Sequence, residues 1–304
     1  MPPSATADRI LVAGATGYLG RRLVSRLVAR GLTVRALVRG GAARAAALLE
    51  LAGAEIAEGH LGDPDSLERA LGGCRTVVHL IGILRERGLQ SFEAVHVGGT
   101  TALVQAARAS WCERILYVSA LGARLDSFSA YARTKAEAEE LVRRSGLSWL
   151  VLRPSIVLAR EGEFYGILRR LVSFPIVPVL GPGTSLLQPI VADDLAAIEV
   201  QAMFRPAVWN RAYDVAGPRA YPFVELVRAT ARGLGRPAFL VHVPLVLARP
   251  AAALAAWALT DPPITPGELR LLEEGGTCDP EPAARAFGVT LQPIDGVLGA
   301  TPRP

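Results

Sequence analysis

The chain has 304 residues, of which 51% are hydrophobic and 20% are charged, so it has the composition of an ordinary soluble protein that can bury a large core. Its net charge of +5 comes from scattered arginines, without a block of like charges or a basic stripe interleaved with aromatic residues, which argues against nucleic-acid binding. The three cysteines, at 74, 112 and 278, are widely spaced and show no metal-ligand spacing with the histidines, so we predict neither a disulfide framework nor a bound metal.

The first predicted elements are a strand over residues 10–13, a turn with glycines at 14, 17 and 20, and a helix over 17–30. This order presents free backbone N–H groups and the positive end of a helix dipole to an anion, as in dinucleotide sites. Glycines at this spacing also serve tight turns and close helix–strand packing, and that alternative stays open. The second strand, over 33–38, completes a βαβ unit and favours the dinucleotide site.

The end of the second strand bears on the choice of cofactor. An Asp or Glu about 20 residues after the glycine turn usually holds the adenosine ribose of NAD, whereas an Arg accommodates the 2′-phosphate of NADP. Here the strand is followed by Arg39, and no acidic residue occurs between Arg39 and Glu50. The sequence therefore favours NADP(H) over NAD(H), although an exposed Arg is also an ordinary solubilising residue.

Further along the chain, predicted strands alternate with predicted helices, which indicates an α/β Rossmann fold with a doubly wound parallel sheet. The remaining strands are predicted over 54–57, 76–80, 115–119 and 148–152, and the helices over 42–51, 65–71, 91–109 and 132–145. The pattern becomes loop-rich after Pro154. We therefore predict a dinucleotide-binding domain over 1–157, with a returning segment at about 187–216, and a smaller, partly helical lobe over 158–186 and 217–304.

A candidate catalytic group lies just before the middle of the chain. Tyr131 and Lys135 are four residues apart at the start of a predicted helix, so they share one face of it. An ammonium beside a phenol stabilises the phenolate and lowers its pKa, and it can also hold ribose hydroxyls. Ser119, at the end of the predicted strand 115–119, could orient a substrate carbonyl. Tyr-x-x-x-Lys is a common accident on surface helices, and only the preceding glycine turn favours the catalytic interpretation.

Together these residues resemble the short-chain dehydrogenase/reductase superfamily, in which the glycine turn, the strand-end Ser and the Tyr-x-x-x-Lys helix occur together. The resemblance covers essentially the whole chain and is strongest for the extended and atypical, epimerase/dehydratase-like branches. It implies catalytic roles for Tyr131, Lys135 and Ser119. The cofactor contacts that we predict on this basis are Gly14, Thr16, Gly17, Tyr18, Leu19, Gly20, Arg39, Leu80, Gly82, Lys135 and Pro154.

Softer motifs at 79–82, 92–100, 117–122 and 265–273 are similar to the group that includes the dehydrogenase-like accessory subunit of respiratory complex I and its bacterial relatives. That resemblance implies NADPH binding and a link to quinones or respiratory membranes. Two departures from the extended enzymes are His60, in place of an Asp near the adenine, and His96, in place of an Asn that supports the catalytic Lys. We expect these histidines, like His79 and His242, to be hydrogen-bonded structural residues.

Three further features are open to more than one interpretation. Asp193 and Asp194 match a recurring late helix-start motif, and we expect them mainly to cap that helix. The apolar run 239–259 approaches the length of a membrane span but is interrupted by charge and proline, so we interpret it as a buried helix, a substrate wall or a patch that contacts a membrane or partner. Arg160, Arg169 and Arg170 could contact an anion but are more often surface residues.

Two functions remain at this point. The favoured one is an NADPH-dependent oxidoreductase acting on a carbonyl or quinone-like group of a hydrophobic substrate. The alternative is a non-catalytic NADPH-binding accessory or assembly protein of a respiratory membrane complex. Residues 1–8 lack the apolar core of a secretory signal, so we expect a cytoplasmic protein, with peripheral contact at the inner face of the membrane left open.

Overall fold

A computed structural model describes residues 9–40, 53–88, 90–174, 176–246, 250 and 275–299. The helix predicted over 42–51, the motif over 265–273 and all but residue 250 of the apolar run beyond 246 lie outside these residues. The chain forms two compact units. The first unit comprises Met1–Pro154, Ala192–Asp214 and Glu281–Val289, and the second comprises the intervening segments and Thr290–Pro304.

The first unit is built on a seven-stranded sheet with the strand order β11-β6-β5-β4-β1-β2-β3. Strands β1 to β6 pair in parallel with one another. The strands are β1 (Ile10–Ala13), β2 (Val34–Val38), β3 (Glu55–Glu58), β4 (Thr76–His79), β5 (Arg114–Val118), β6 (Ser148–Pro154) and β11 (Arg211–Val215). The predicted doubly wound sheet is confirmed, with the strand order of dinucleotide-binding folds.

Helices cover both faces of this sheet. They are α1 (Tyr18–Ala29), α2 (Pro64–Leu71), α3 (Gly99–Ala109), α4 (Ala130–Arg143), α6 (Ala192–Met203) and α8 (Glu281–Phe287). Helix α1 packs against α6, whereas α3 packs against both α2 and α4. A single π-helical turn, Glu93–Gly98, leads directly into α3, so the helix predicted over 91–109 is not α-helical throughout.

The core of this unit follows from the strand period of two. Leu11 and Ala13 of β1, and Ile115 and Tyr117 of β5, belong to one buried cluster with apolar residues of α2, α3 and α4. Ile10 and Val12, which alternate with them, are equally buried. Because successive side chains of a strand point to opposite faces, these central strands have a hydrophobic core on each side.

The strand order places the point of topological reversal between β1 and β4. These two strands are neighbours in the sheet, although their crossovers run in opposite directions along it. The loops that leave their carboxyl ends, at Gly14 and Leu80, lie side by side, and the Leu80 N–H donates to the Ala13 carbonyl at 2.9 Å. Ligands of open α/β sheets bind in the crevice at such a point.

The second unit has its own apolar core and small sheets. It contains β7 (Val157–Leu158), β8 (Ile176–Leu180), β9 (Leu186–Leu187), β10 (Ile190–Val191), β12 (Tyr221–Pro222), β13 (Phe239–Val243), α5 (Glu163–Leu171), α7 (Phe223–Gly233) and α9 (Asp295–Leu298). Helices α5 and α7 pack together over a core that includes Leu168, Val177 and Leu226. Strands β8 and β13 pair in parallel.

Three findings differ from the sequence-based expectations. The apolar run that starts at Phe239 begins as strand β13 rather than as a helix, because it pairs with β8. Residues 281–289, assigned from the sequence to the second region, belong to the first unit, where the Phe287 ring packs edge-on against Tyr213 at 5.0 Å. The role of Asp193, at the start of α6, also differs and is described below. Within the described part of the chain, no helix combines the length and apolar character that a membrane span requires.

Candidate active site

The glycine turn after β1 shapes the first part of the site. Gly14 has a φ of +95°, and a Cβ there would lie 3.2 Å from the Leu80 carbonyl carbon. A Cβ on Gly20 would overlap the carbonyl oxygen of Gly14 and lie 2.7 Å from the Cα of Ala15. Both glycines are therefore needed for the close packing of turn and helix, which is one of the two interpretations of the motif.

The N-terminus of α1 is open toward the same turn. Gly17 is the N-cap residue, and its N–H donates to the Gly14 carbonyl at 3.1 Å. As a glycine, Gly17 has no side chain with which to cap the helix. Thr16, Tyr18 and Leu19 are half-buried around this point. The first turn of α1 thus presents backbone N–H groups and a positive dipole end, which is the arrangement that binds a pyrophosphate.

The predicted reader of the 2′-phosphate, Arg39, directly follows β2 and is exposed. Strand β2 is the neighbour of β1, so Arg39 leaves the same edge of the sheet as the glycine turn. Among the described residues no ion pair of Arg39 is found. Leu80 and Gly82, which follow β4, leave this edge as well.

A buried network fixes His96 beside the loop that follows β4. The Ile83 N–H donates to His96 Nε2 at 3.2 Å, so Nδ1 carries the proton and donates to Thr134 Oγ1 at 2.9 Å. Thr134 in turn donates to the Ala130 carbonyl at 2.8 Å. Burial, together with the nearby charge of Lys135, lowers the pKa of His96 to about 3. The ring is therefore neutral near pH 7 and holds the loop, the π-helical turn and α4 together.

His79 has a similar structural role at the end of β4. Its Nδ1 accepts from the Ile81 N–H at 3.4 Å, and its Nε2 donates to Thr100 Oγ1 at 3.0 Å. Complete burial lowers the pKa of His79 to about 3. His60 and His242 also take part in hydrogen bonds, to the Gly62 N–H and the Gly181 carbonyl respectively.

Lys135 lies within the protein next to the end of β5. Its side chain is held by a 2.7 Å hydrogen bond from Nζ to the Val118 carbonyl, and Nζ lies 4.4 Å from the centre of the Tyr117 ring. Burial lowers the pKa of Lys135 to about 7, and the negative charge of Glu139 opposes that shift. A Cβ built on Gly82 would lie 3.8 Å from Nζ and 3.6 Å from His96 Nε2, so Gly82 covers both groups.

Tyr131 is the second residue of α4, one helical turn before Lys135. Its ring meets Phe92 and His96 edge-on, with ring centres 5.7 and 5.5 Å apart. Phe92 and His96 stack on each other at 5.5 Å. These two contacts hold the Tyr131 ring in place from the side of the π-helical turn.

Ser119 is the residue that follows Val118, the anchor of Lys135. It is only 4% exposed, and its N–H donates to the Leu152 carbonyl at 2.7 Å. Its Oγ is buried and has no hydrogen-bond partner within the described part of the chain. An unsatisfied buried hydroxyl destabilises a protein, and this one is free to donate a hydrogen bond to a ligand and to accept one from it. Pro154, at the end of β6, lies close to the loop that follows Ser119, since its carbonyl accepts a hydrogen bond from the Leu121 N–H at 2.8 Å.

Other residues of this site are not apparent from the sequence. Thr100, Thr134, Phe92 and Tyr117 complete the network, but isolated threonines and aromatic residues carry no spacing signal. Glu139 is buried, accepts two hydrogen bonds from Arg153 at 2.8 and 2.6 Å, and lies one turn beyond Lys135. The helical spacing 131, 135 and 139 is the one signal that could have indicated it.

The expectation that Asp193 mainly caps its helix is wrong. Helix α6 begins at Ala192, so Asp193 and Asp194 lie within its first turn. The Asp193 carboxylate instead accepts hydrogen bonds from Arg22 Nε at 3.2 Å and Arg26 at 2.5 Å. It therefore joins α6 to α1, the helix that follows the glycine turn, and these guanidinium groups lower its pKa against the opposing effect of burial.

The chain is similar to several known proteins. The chain is 32% identical to a ceramide reductase of Caulobacter vibrioides over 94% of this chain and 91% of that protein. It is 30% identical, over 71% of this chain and 59% of the relative, to the mitochondrial 1 alpha subcomplex subunit 9 of NADH dehydrogenase (ubiquinone) of Mus musculus. The fold matches the Citrobacter triphenylmethane reductase complexed with NADP(H), with a TM-score of 0.75, 20% identity, and 96% and 100% of the two chains covered.

A family model described as NAD(P)H-binding matches residues 14–174, which include the glycine turn, Ser119, Tyr131 and Lys135. Taken with the relatives above, this match confirms the resemblance expected from the motifs. The chain belongs to the NAD(P)H-binding family of short-chain dehydrogenases and reductases, and it is reductase-like.

Proposed function

We propose that this protein is an NADPH-dependent reductase that acts on a carbonyl or quinone-like group of a hydrophobic substrate. The observation that carries the proposal is the buried, unsatisfied Ser119 hydroxyl beside the carbonyl that anchors Lys135. Lys135 lies one helical turn from Tyr131. A hydroxyl, an ammonium and a phenol are the groups that carbonyl reduction requires of the protein.

The residues present fit a nicotinamide dinucleotide. Gly14 and Gly20 form a turn in which a side chain would clash, and the N-cap residue of α1, Gly17, has no side chain to occupy the helix N-terminus. The bound cofactor would supply the hydride. Arg39 and the lack of an acidic residue between Arg39 and Glu50 in the sequence support NADPH over NADH, because a guanidinium binds the 2′-phosphate and the position that usually holds the ribose hydroxyls of NAD is not acidic.

Tyr131 is proposed to donate the proton to the substrate oxygen. The neutral His79 and His96 are poor acids near pH 7, since the pKa of each is about 3. Lys135, whose pKa is about 7, can carry the positive charge that stabilises the Tyr131 phenolate and can hold the ribose hydroxyls. Ser119 Oγ is proposed to donate a hydrogen bond to the substrate oxygen and so keep it aligned.

Exposed apolar side chains support a hydrophobic substrate. Leu84 lies on the loop after β4, and Leu125 and Phe128 lie on the loop after β5; all three are exposed. These strands are parallel neighbours, so both loops leave the same edge of the sheet as Ser119. Apolar residues on loops at this edge commonly select the substrate of α/β enzymes. The Caulobacter vibrioides relative is named for the reduction of ceramide.

The test is NADPH oxidation, followed at the nicotinamide absorbance, with a panel of apolar ketones and quinones. Tyr131→Phe should lose at least about a hundredfold in turnover while it keeps NADPH affinity, because only the proton donor is removed. Tyr213→Phe, a matched change whose ring packs on Phe287, should retain activity. Tight NADPH binding without turnover of any acceptor would instead favour the non-catalytic accessory protein.

A further inference from the structure

The β8–β13 ribbon of the second unit has an outer face made of apolar side chains. Ile176 and Pro178 of β8 pair in register with Phe239 and Val241 of β13. All four are exposed, with Phe239 at 69%, Ile176 at 62% and Val241 at 48% exposure, whereas the alternating residues Val177 and Val179 are fully buried. The ribbon therefore has one face in the core and an apolar face in water, which is unusual for a strand pair.

We propose that this face, residues Phe174, Ile176, Pro178, Phe239 and Val241, binds the surface of an anionic lipid bilayer. Phe174, which precedes β8, is 59% exposed and extends the apolar surface at the start of the ribbon. The ribbon face is defined here by these five residues.

Arginines surround the start of the ribbon. Helix α5 ends at Leu171 with Arg169 and Arg170 exposed, and α7 ends at Gly233 with Arg232 exposed. Because β8 and β13 are parallel, both helix-to-strand connections lie at the same end of the ribbon. The exposed Arg236 links them, since its guanidinium donates to the Ser173 carbonyl at 3.3 Å.

The two stretches of sequence that contain the strands of the ribbon have basic but no acidic residues. The sequence contains no Asp or Glu over residues 164–192, which include β8, and none over 226–260, which include β13. Four exposed arginines therefore border the ribbon face without an acidic residue in either stretch. Aliphatic and phenyl side chains bordered by arginines match the interface of an anionic membrane, where the apolar groups enter the acyl boundary and the guanidinium groups meet phosphates.

The same charges argue against a second copy of this chain as the occupant. Pairing two ribbon faces would bring two sets of arginines together with no acidic residue from these stretches to compensate them, which is unfavourable. A bilayer of anionic lipid satisfies both the apolar and the basic parts of the surface. The proposal does not depend on the proposed reaction, because it uses only the second unit.

The test is co-sedimentation of the full-length protein with vesicles of phosphatidylcholine alone and with vesicles that also contain phosphatidylglycerol. The wild type should bind the phosphatidylglycerol vesicles and lose that binding as salt is raised, a result that needs no variant. Arg170→Gln with Arg236→Gln should weaken binding by about tenfold or more, since each arginine near an anionic surface contributes about fivefold to binding. Phe174→Ser with Phe239→Ser should weaken it as well.

The matched controls are in the first unit: Arg108→Gln, on an exposed position of α3, and Trp111→Asn, at a residue that is 89% exposed. Both should bind vesicles like the wild type. Circular dichroism and NADPH binding establish that each variant is folded. The proposal is overturned if the wild type ignores phosphatidylglycerol, if the controls weaken binding equally, or if light scattering shows a dimer that the phenylalanine variant converts to a monomer.

Discussion

Replacement of Ser119 by Ala separates the stability of the fold from the function of the site. The Ser119 hydroxyl is buried and unsatisfied within the described part of the chain, and such a group costs about 1–3 kcal/mol of stability. Loss of the oxygen leaves a small void that offsets part of this gain, by about 1 kcal/mol or less. We therefore expect Ser119→Ala to raise the free energy of unfolding by about 1 kcal/mol, while turnover falls by about a hundredfold because the substrate oxygen loses its donor.

The matched control is Ser66→Ala. Ser66 is as buried as Ser119, but its hydroxyl donates to the Asp63 carbonyl at 2.8 Å and accepts from the His60 N–H at 3.3 Å. Its replacement should lower the free energy of unfolding by about 1–2 kcal/mol. The measurement is urea unfolding of both variants, with the midpoint compared at unchanged slope. If Ser119→Ala destabilises the protein as much as Ser66→Ala does, the Ser119 hydroxyl is satisfied within the protein and the reasoning is refuted.

Three further changes test other parts of the structure. Gly20→Ala would place a Cβ against the backbone of the glycine turn, so it should destabilise the protein by about 1–3 kcal/mol and weaken NADPH binding. The control Gly166→Ala, at a helix position with open space, should be neutral or slightly stabilising. Equal shifts of the melting temperature in the two variants would contradict this prediction. Glu139→Gln removes the buried partner of Arg153 and should cost about 3 kcal/mol in urea unfolding, while Glu140→Gln, on the helix surface, should cost less than about 0.5 kcal/mol. Glu199 is buried without a hydrogen-bond partner among the described residues, and burial raises its pKa well above the usual value. The folded state then retains a proton that the unfolded state releases above about pH 4.5, so wild-type stability falls as pH rises. The gain in unfolding free energy from Glu199→Leu should therefore grow from pH 5 to pH 8, by up to about 1.4 kcal/mol per pH unit. A gain that does not change with pH would contradict the burial argument.

Local patterns were sufficient to predict most of the first unit. The glycine turn, β2 and the Tyr131–Lys135 spacing depend on neighbours in sequence, and these elements lie within a few residues of the predicted bounds. The sheet order follows from alternation of strands and helices, because right-handed crossovers leave few topologies. Whether Ser119, Tyr131 and Lys135 act as predicted is a matter for the kinetic tests above.

The remaining features depend on contacts between distant parts of the chain. The hydrogen bond between His96 and Thr134 joins residues 38 positions apart, and Asp193 reaches Arg26 across 167 positions. Similarly, the strand Phe239–Val243 pairs with β8, which lies far from it in the sequence. Tertiary contacts decide the structure in these places, and no single-sequence pattern reports them.

The most direct test of the account is a fluorescence titration of the purified protein with NADPH and NADH, repeated on Arg39→Asp and on Arg108→Asp as the control. The account predicts that the wild type binds NADPH more tightly than NADH, by about tenfold or more, because a charged hydrogen bond to the 2′-phosphate contributes about 1.5–3 kcal/mol. Arg39→Asp should abolish that preference, and Arg108→Asp should retain it. If neither nucleotide binds, or if Arg39→Asp leaves the preference unchanged, the proposed NADPH site is contradicted.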